Sequence, residues 1–147
     1  MLIFGYGSLM NEASLRKTSK TAEMYPDWYF LPGYQRKCNA THKDFTDVAM
    51  NLIESVHYTV EGRVIRFPKK DIPALMNREV GYELVNISDV LKHGFDESVY
   101  TFISKGVGYE NKYVKQSYID ICVNSVPPNR REQWLLETIV DCLIKKD

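Results

Sequence analysis

LIFGYGSLM, residues 2–10, opens on an apolar run and breaks at once into two glycines, a tyrosine and a serine. Leu2, Ile3 and Phe4 read as a buried strand. Gly5 and Gly7 then end it in a loop whose main chain is open to close approach by another group. Such a loop offers a run of backbone N–H groups suited to a carboxylate or an oxyanion. A plain turn accounts for the same residues, so what the loop holds has to be read from the rest of the chain.

The glycine spacing is similar to the GxGxxG of dinucleotide-binding folds, but Met10 stands where the third glycine belongs. No clear second strand carries an acidic residue about 20 positions later. The GK[ST] of a nucleotide-phosphate loop is absent, Ser8 is not in a GxSxG context, and His42, His57 and His93 have no triad-like setting. A second candidate is NREVGYEL, residues 77–84. Here Glu79 closes a helix predicted over PKKDIPALMNREV, with Asp71 as N-cap and Pro73 in the first turn. Gly81 and Tyr82 turn the chain into the next strand. A carboxylate at that helix end gains nothing from the helix dipole. Buried, it would have a raised pKa and suit general acid–base chemistry; exposed, it is an ordinary surface glutamate.

Composition narrows the classes. The chain has 147 residues, 44% hydrophobic and 26% charged, which predicts one globular domain over 1–147 with a proper core. Nineteen basic residues balance nineteen acidic ones, so nothing global favours nucleic acid or a membrane surface as partner. Short runs such as Lys69-Lys70 and Arg130-Arg131 read as solvated faces. No apolar stretch reaches the roughly 18 residues of a spanning helix. The first residues lack the pattern of a secretion signal. Cys38, Cys122 and Cys142 are odd in number and far apart in sequence, without a CxxC pair. This favours reduced thiols in a cytoplasm over a disulfide framework or a zinc site, with Cys122 and Cys142 as core fillers.

Residues 11–23, NEASLRKTSKTAE, have room for a short helix. DWYFLPGYQRKC is strand-like, with a turn or bulge at Pro32-Gly33. VAMNLIES and YTVEGRVIRF read as two further strands, the second interrupted by Gly62. YELVNISDV and SVYTFIS add two more. The last third changes period: Val114, Tyr118, Ile121 and Cys122 fall on one helical face, as do Leu135, Ile139, Cys142 and Leu143. Asn129 and Glu132 form a capping-box pattern after Pro127-Pro128. Strands first and helices last predict an α+β domain: a curved mixed or antiparallel sheet, or a small barrel, packed by helices.

Taken together, Tyr6-Gly7-Ser8-Leu9 after the first strand and Arg78-Glu79-Val80-Gly81-Tyr82 after a short helix resemble the γ-glutamylcyclotransferase-like family, in its compact bacterial-type branches. VEGRVIRFP looks like that family's strand before the helix. SYIDICVNSV looks like its C-terminal region before a closing helix. The resemblance implies that the Tyr6–Leu9 main chain cradles the amino-acid end of a γ-glutamyl group and that Glu79 is the catalytic carboxylate. Ser8 would orient the loop or the substrate. Tyr82 and Tyr118 would line the pocket or belong to the core. The reaction it implies closes a γ-glutamyl group to 5-oxoproline and releases an amine, amino acid or dipeptide, with no metal or cofactor. It does not choose between γ-glutamyl-amino acids, γ-glutamylamines and glutathione, and it does not give the oligomeric state. A non-catalytic module that binds a small metabolite, and a protein-interaction domain in which the loop is only a turn, remain open alternatives.

Overall fold

A computed structural model describes residues 1–42, 47–107, 113–139 and 142–147. Strand β1 (Leu2–Gly5) is buried along its whole length. It lies inside a six-stranded mixed sheet whose other members are β2 (Glu23–Thr41), β3 (Ala49–Arg66), β4 (Tyr82–Asn86), β5 (Val99–Ser104) and β6 (Gly106–Val107), in the order β4-β5-β1-β3-β2-β6. β1 runs antiparallel to β3 and parallel to β5. Alternation along β1 divides the core in two. Leu2 and Phe4 face a cluster that includes Met50, Leu52, Ile119, Cys122 and Trp134. Ile3 faces a second cluster with Leu9, Leu15, Leu75 and Phe102. Covered on both faces, the strand is apolar at successive positions rather than at alternate ones.

Four short helices cover the sheet: α1 (Glu12–Arg16) and α2 (Ile72–Arg78) on the Ile3 side, α3 (Gln116–Val123) and α4 (Arg131–Thr138) on the Leu2 and Phe4 side. α1 is capped by Asn11, whose Oδ1 accepts from Ser14 N–H at 2.9 Å. Asp71 does precede α2, and Pro73 lies in its first turn, but the Asp71 side chain accepts from Ser19 Oγ at 2.5 Å instead of capping the helix. The predicted Asn129–Glu132 capping box does not form. Asn129 lies in a 3-10 turn over Pro128–Arg130, and α4 starts after it without a side-chain cap. Val114 is not helical either. It forms β7 (Val114–Lys115), which pairs in parallel with β8 (Ile144–Lys145). Ile121 faces solvent while Ile119 faces the core, so the inward face of α3 is Ile119, Cys122 and Val123. The helical face expected to continue through Cys142 ends with α4 at Thr138; positions 140 and 141 lie outside the described residues.

The two segments read as separate strands, VAMNLIES and YTVEGRVIRF, are one continuous β3, paired with β2 from Glu23↔Arg66 to Ala40↔Ala49. Three register shifts bend this ribbon. One lies between Pro32 and Tyr34, where Gly33 takes φ +82°. Proline at 32 is tolerated because β6 pairs with β2 only at Ala40 and Thr41, among the described residues. Among the described residues the sheet is not closed into a barrel. β5 passes through Lys105 directly into β6 at the opposite edge, and the buried Asn51 side chain spans the gap, accepting from Ser104 N–H (2.8 Å) and donating to Asn39 Oδ1 (2.9 Å).

Gly62 on β3 supports the start of the Tyr6–Leu9 loop by having no side chain. A Cβ there would lie 2.5 Å from Gly5 O and 2.5 Å from the Phe4 ring. Gly62→Ala is therefore expected to push the end of β1 outward and to lower unfolding free energy by about 1–3 kcal/mol, the usual cost of overpacking. Urea unfolding of the variant beside the native chain measures this.

Candidate active site

Gly5 and the loop after β1 open onto a small cleft lined by Phe4, Tyr6, Gly7, Ser8, Leu9, Met50, Glu79, Tyr82, Phe102 and Tyr118. All seven residues proposed from the sequence stand on this one cleft. They come from four places: the loop after β1, the end of α2, the start of β4, and α3.

Ser8–Met10 form a 3-10 turn, with Met10 N–H donating to Gly7 O (3.1 Å) and Asn11 N–H to Ser8 O (3.0 Å). The N–H groups that open the turn, those of Gly7, Ser8 and Leu9, have no acceptor within it. Gly7 keeps the cleft open between this turn and the opposite wall. A Cβ at 7 would touch both Met50 Cβ and Tyr118 Oη at 3.5 Å. Gly81, at φ +87°, lets the chain turn from α2 into β4 directly after the Glu79 segment.

Glu79 caps the C-terminal end of α2 through its main chain, its N–H donating to Leu75 O at 3.0 Å. Its side chain is 15% exposed. Burial pushes the carboxyl up to about 7, and the neighbouring Arg78 guanidinium offsets that only in part. The geometry explains why an adjacent arginine does so little. Arg78 Nη1 donates to Ser14 O (2.8 Å) and Thr18 Oγ1 (2.9 Å), and its Nη2 donates to Ser8 Oγ (2.9 Å) and Ser14 Oγ (2.7 Å). Only Nε faces the carboxylate, at 3.8 Å. The cation is spent on holding the loop and α1, and the carboxyl is left with a raised pKa.

The three tyrosines have fixed hydroxyls. Tyr6 donates to Phe102 O at 2.6 Å and Tyr82 to Met50 O at 2.6 Å, while Tyr118 Oη accepts from Met50 N–H at 3.3 Å. Burial, with Glu79 adding to it for Tyr6 and Tyr82, holds all three above the ordinary tyrosine range, so they stay neutral. Among the described residues lining the cleft, Glu79 is thus the group whose charge changes near neutral pH. The Ser8 hydroxyl accepts from Arg78 Nη2, which ties the loop to the end of α2.

Sequence reasoning gave no role to Arg78, Met50 or Phe102. Arg78 was visible beside Glu79 in the motif, but its bonds to Ser8 and Ser14 appear only once α1 and α2 pack. Met50 and Phe102 serve through main-chain atoms, which leave no mark in a sequence.

The raised pKa carries a stability consequence. A carboxyl at about 7 in the folded chain, against 4.5 when unfolded, favours folding fully below pH 4.5, and that advantage is lost as pH rises through 7. The loss is roughly 3 kcal/mol at full ionisation. Glu79→Gln removes this slope, so the variant is expected to match the native chain near pH 4 and to exceed its unfolding free energy by up to about 3 kcal/mol at pH 8.5. Urea titrations of both proteins at the two pH values provide the comparison.

No family profile and no curated protein sequence matches the chain. Solved structures do. One named gamma-glutamyl cyclotransferase superposes with a TM-score of 0.75 at 14% identity, over 99% of this chain and 92% of that one. The uncharacterized human protein loc79017 gives 0.74 at 14% identity, with the same coverage. YkqA from Bacillus subtilis gives 0.73 at 17% identity, over 99% of this chain but 56% of its own. The chain has the fold of the γ-glutamyl cyclotransferases.

Proposed function

We propose that this chain, built on that fold, cyclises a γ-glutamyl group to 5-oxoproline and releases the attached amine, amino acid or dipeptide. The observation that carries the proposal is the meeting, on one cleft, of the Gly7–Leu9 turn with a mostly buried carboxyl whose pKa is pushed up to about 7. The resemblance in the Tyr6–Leu9 and Arg78–Tyr82 motifs, and the fold shared with a protein named gamma-glutamyl cyclotransferase, point the same way.

The substrate carries its own nucleophile, an α-amine that is mostly protonated at neutral pH. Ionised Glu79 removes a proton from it, and the amine nitrogen attacks the γ-carbonyl carbon to form a five-membered ring. Held in that folded geometry, the attack gains up to about 7–11 kcal/mol from proximity. The N–H groups of the loop stabilise the tetrahedral oxyanion. As the original amide C–N bond breaks, protonated Glu79 gives its proton to the departing nitrogen, then takes the second proton from the ring nitrogen and passes it on, so that the products are the neutral lactam and the departing amine as its ammonium. Atoms balance without water, and Glu79 ends in its starting state. A pKa near 7 suits a group that must take and give the same proton at neutral pH.

The test is 5-oxoproline release from γ-glutamyl-alanine, γ-glutamyl-lysine and glutathione by the native chain. Release from one of them supports the reaction and names its leaving group. Ligand binding with no release from any would instead support a metabolite-binding module.

A further inference from the structure

A guanidinium carries N–H donors on Nε, Nη1 and Nη2 in one rigid plane. In Arg78 both donors of Nη1 are taken, by Ser14 O (2.8 Å) and Thr18 Oγ1 (2.9 Å). Both donors of Nη2 are taken as well, by Ser14 Oγ (2.7 Å) and Ser8 Oγ (2.9 Å). Nε lies 3.8 Å from Glu79 Oε1. Arg78 itself is not among the described residues that line the cleft. The side chain is therefore built into the frame of the site and has no Nη donor to offer a ligand. Its bonds close a circuit. Ser8 O accepts from Asn11 N–H at 3.0 Å, and Asn11 Oδ1 accepts from Ser14 N–H at 2.9 Å. Ser14, through O and Oγ, leads back to the guanidinium, which holds Ser8 Oγ. The turn after β1 and the start of α1 thus form one unit, fastened to α2 at the residue just before Glu79.

We propose that Arg78 is the positioning residue of this site, its fork setting the Gly7–Leu9 turn against Glu79 so that one bound group reaches both. Its effect on turnover rests on the reaction proposed above; its effect on the turn rests on the hydrogen bonds alone. The turn and the carboxyl lie on segments far apart in sequence, and a misplacement of about 1 Å between such groups can cost a rate factor of about 10². Lysine keeps the cation but not the planar fork, so it cannot hold Ser8, Ser14 and Thr18 together. The charge acts separately. Arg78 partly offsets the burial that raises the Glu79 carboxyl. The other titratable groups that share the cleft with Glu79 are Tyr6 on the loop, Tyr82 on β4 and Tyr118 on α3, all kept neutral by burial. Loss of the cation therefore moves the Glu79 titration to higher pH, and loss of the fork alone moves it less.

The native chain, Arg78→Lys and Arg78→Met are compared by amide hydrogen exchange, by carbon-13 NMR titration of the Glu79 carboxyl (assigned with Glu79→Gln) and by 5-oxoproline release. The Met10 and Asn11 amides, which close the turn onto Gly7 O and Ser8 O, should exchange about tenfold faster or more in both variants. Read above the Glu79 titration of each protein, kcat should fall about 10²-fold in both, with KM changing less. The Glu79 titration should move up in Arg78→Met and stay closer to native in Arg78→Lys. Native-like exchange of Met10 and Asn11 in Arg78→Lys, or full kcat in that variant despite a loosened turn, would overturn the proposal. Arg78→Lys alone decides it if Arg78→Met does not fold. If the native chain releases no 5-oxoproline, the proposed reaction fails, while the exchange data still decide whether Arg78 holds the turn.

Discussion

Glu79→Gln is expected to lower kcat for 5-oxoproline release by about 10²–10⁴-fold while KM changes little. Glutamine keeps the size and shape of the side chain but can neither take a proton from the α-ammonium nor return one to the leaving nitrogen. The cleft itself should survive, because its walls are not fastened to Glu79. Tyr6 is bonded to Phe102 O, Tyr82 and Tyr118 to the Met50 main chain, and Arg78 to Ser8, Ser14 and Thr18. A loss confined to kcat therefore reports chemistry, whereas a rise in KM with kcat unchanged would make Glu79 a binding residue. The variant's higher stability above pH 7 serves as an internal control that the protein is folded when activity is read.

Arg36→Ala is expected to lower unfolding free energy by about 3–5 kcal/mol, the range for removing one partner of a buried ion pair. The Arg36 side chain is 1% exposed and lies between Glu61 Oε2 at 3.2 Å and Glu137 Oε2 at 3.3 Å, with Nε donating to Thr138 Oγ1 at 3.1 Å. Its Nη1 faces Glu61 without hydrogen-bond alignment, so that contact is an ion pair and little more. The guanidinium also lies 5.3 Å from the ring centroid of the fully buried Trp134. This one side chain thus docks α4 on the strands, and its loss leaves the Glu61 carboxylate buried without its cation and a hole against Trp134. Arg36→Met, which fills the hole, should be milder than Arg36→Ala. Urea unfolding of the two variants and the native chain at one pH gives the comparison. Equal stability of native and Arg36→Ala chains would contradict the docking role.

What could be read in the sequence was what local chemistry writes there. Gly5 and Gly7 after three apolar residues mark where a buried strand must open, and Glu79 before Gly81 marks a carboxyl at a turn. The α+β class followed from the change of period after residue 113. β3 was split because its middle, from Glu54 to Thr59, is largely exposed and residues 55–58 fall in the register shift between Tyr34↔Glu54 and Pro32↔Thr59, so apolar alternation fades there although the strand runs on. The start of α4 was misplaced because Pro127-Pro128 favoured a 3-10 turn over the capping box. Arg36 with Trp134 and Asn51 across the sheet gap depend on tertiary register over long sequence distances, and no window of sequence contains both partners.

The most direct test of the account is the pH profile of kcat/KM for 5-oxoproline release, measured on the best substrate of the panel with the native chain and Glu79→Gln. The account predicts a rise with increasing pH through about 7, as the Glu79 carboxyl ionises, and the loss of that limb in the variant. A rise already complete near pH 5, or a limb at 7 that persists in Glu79→Gln, would contradict it.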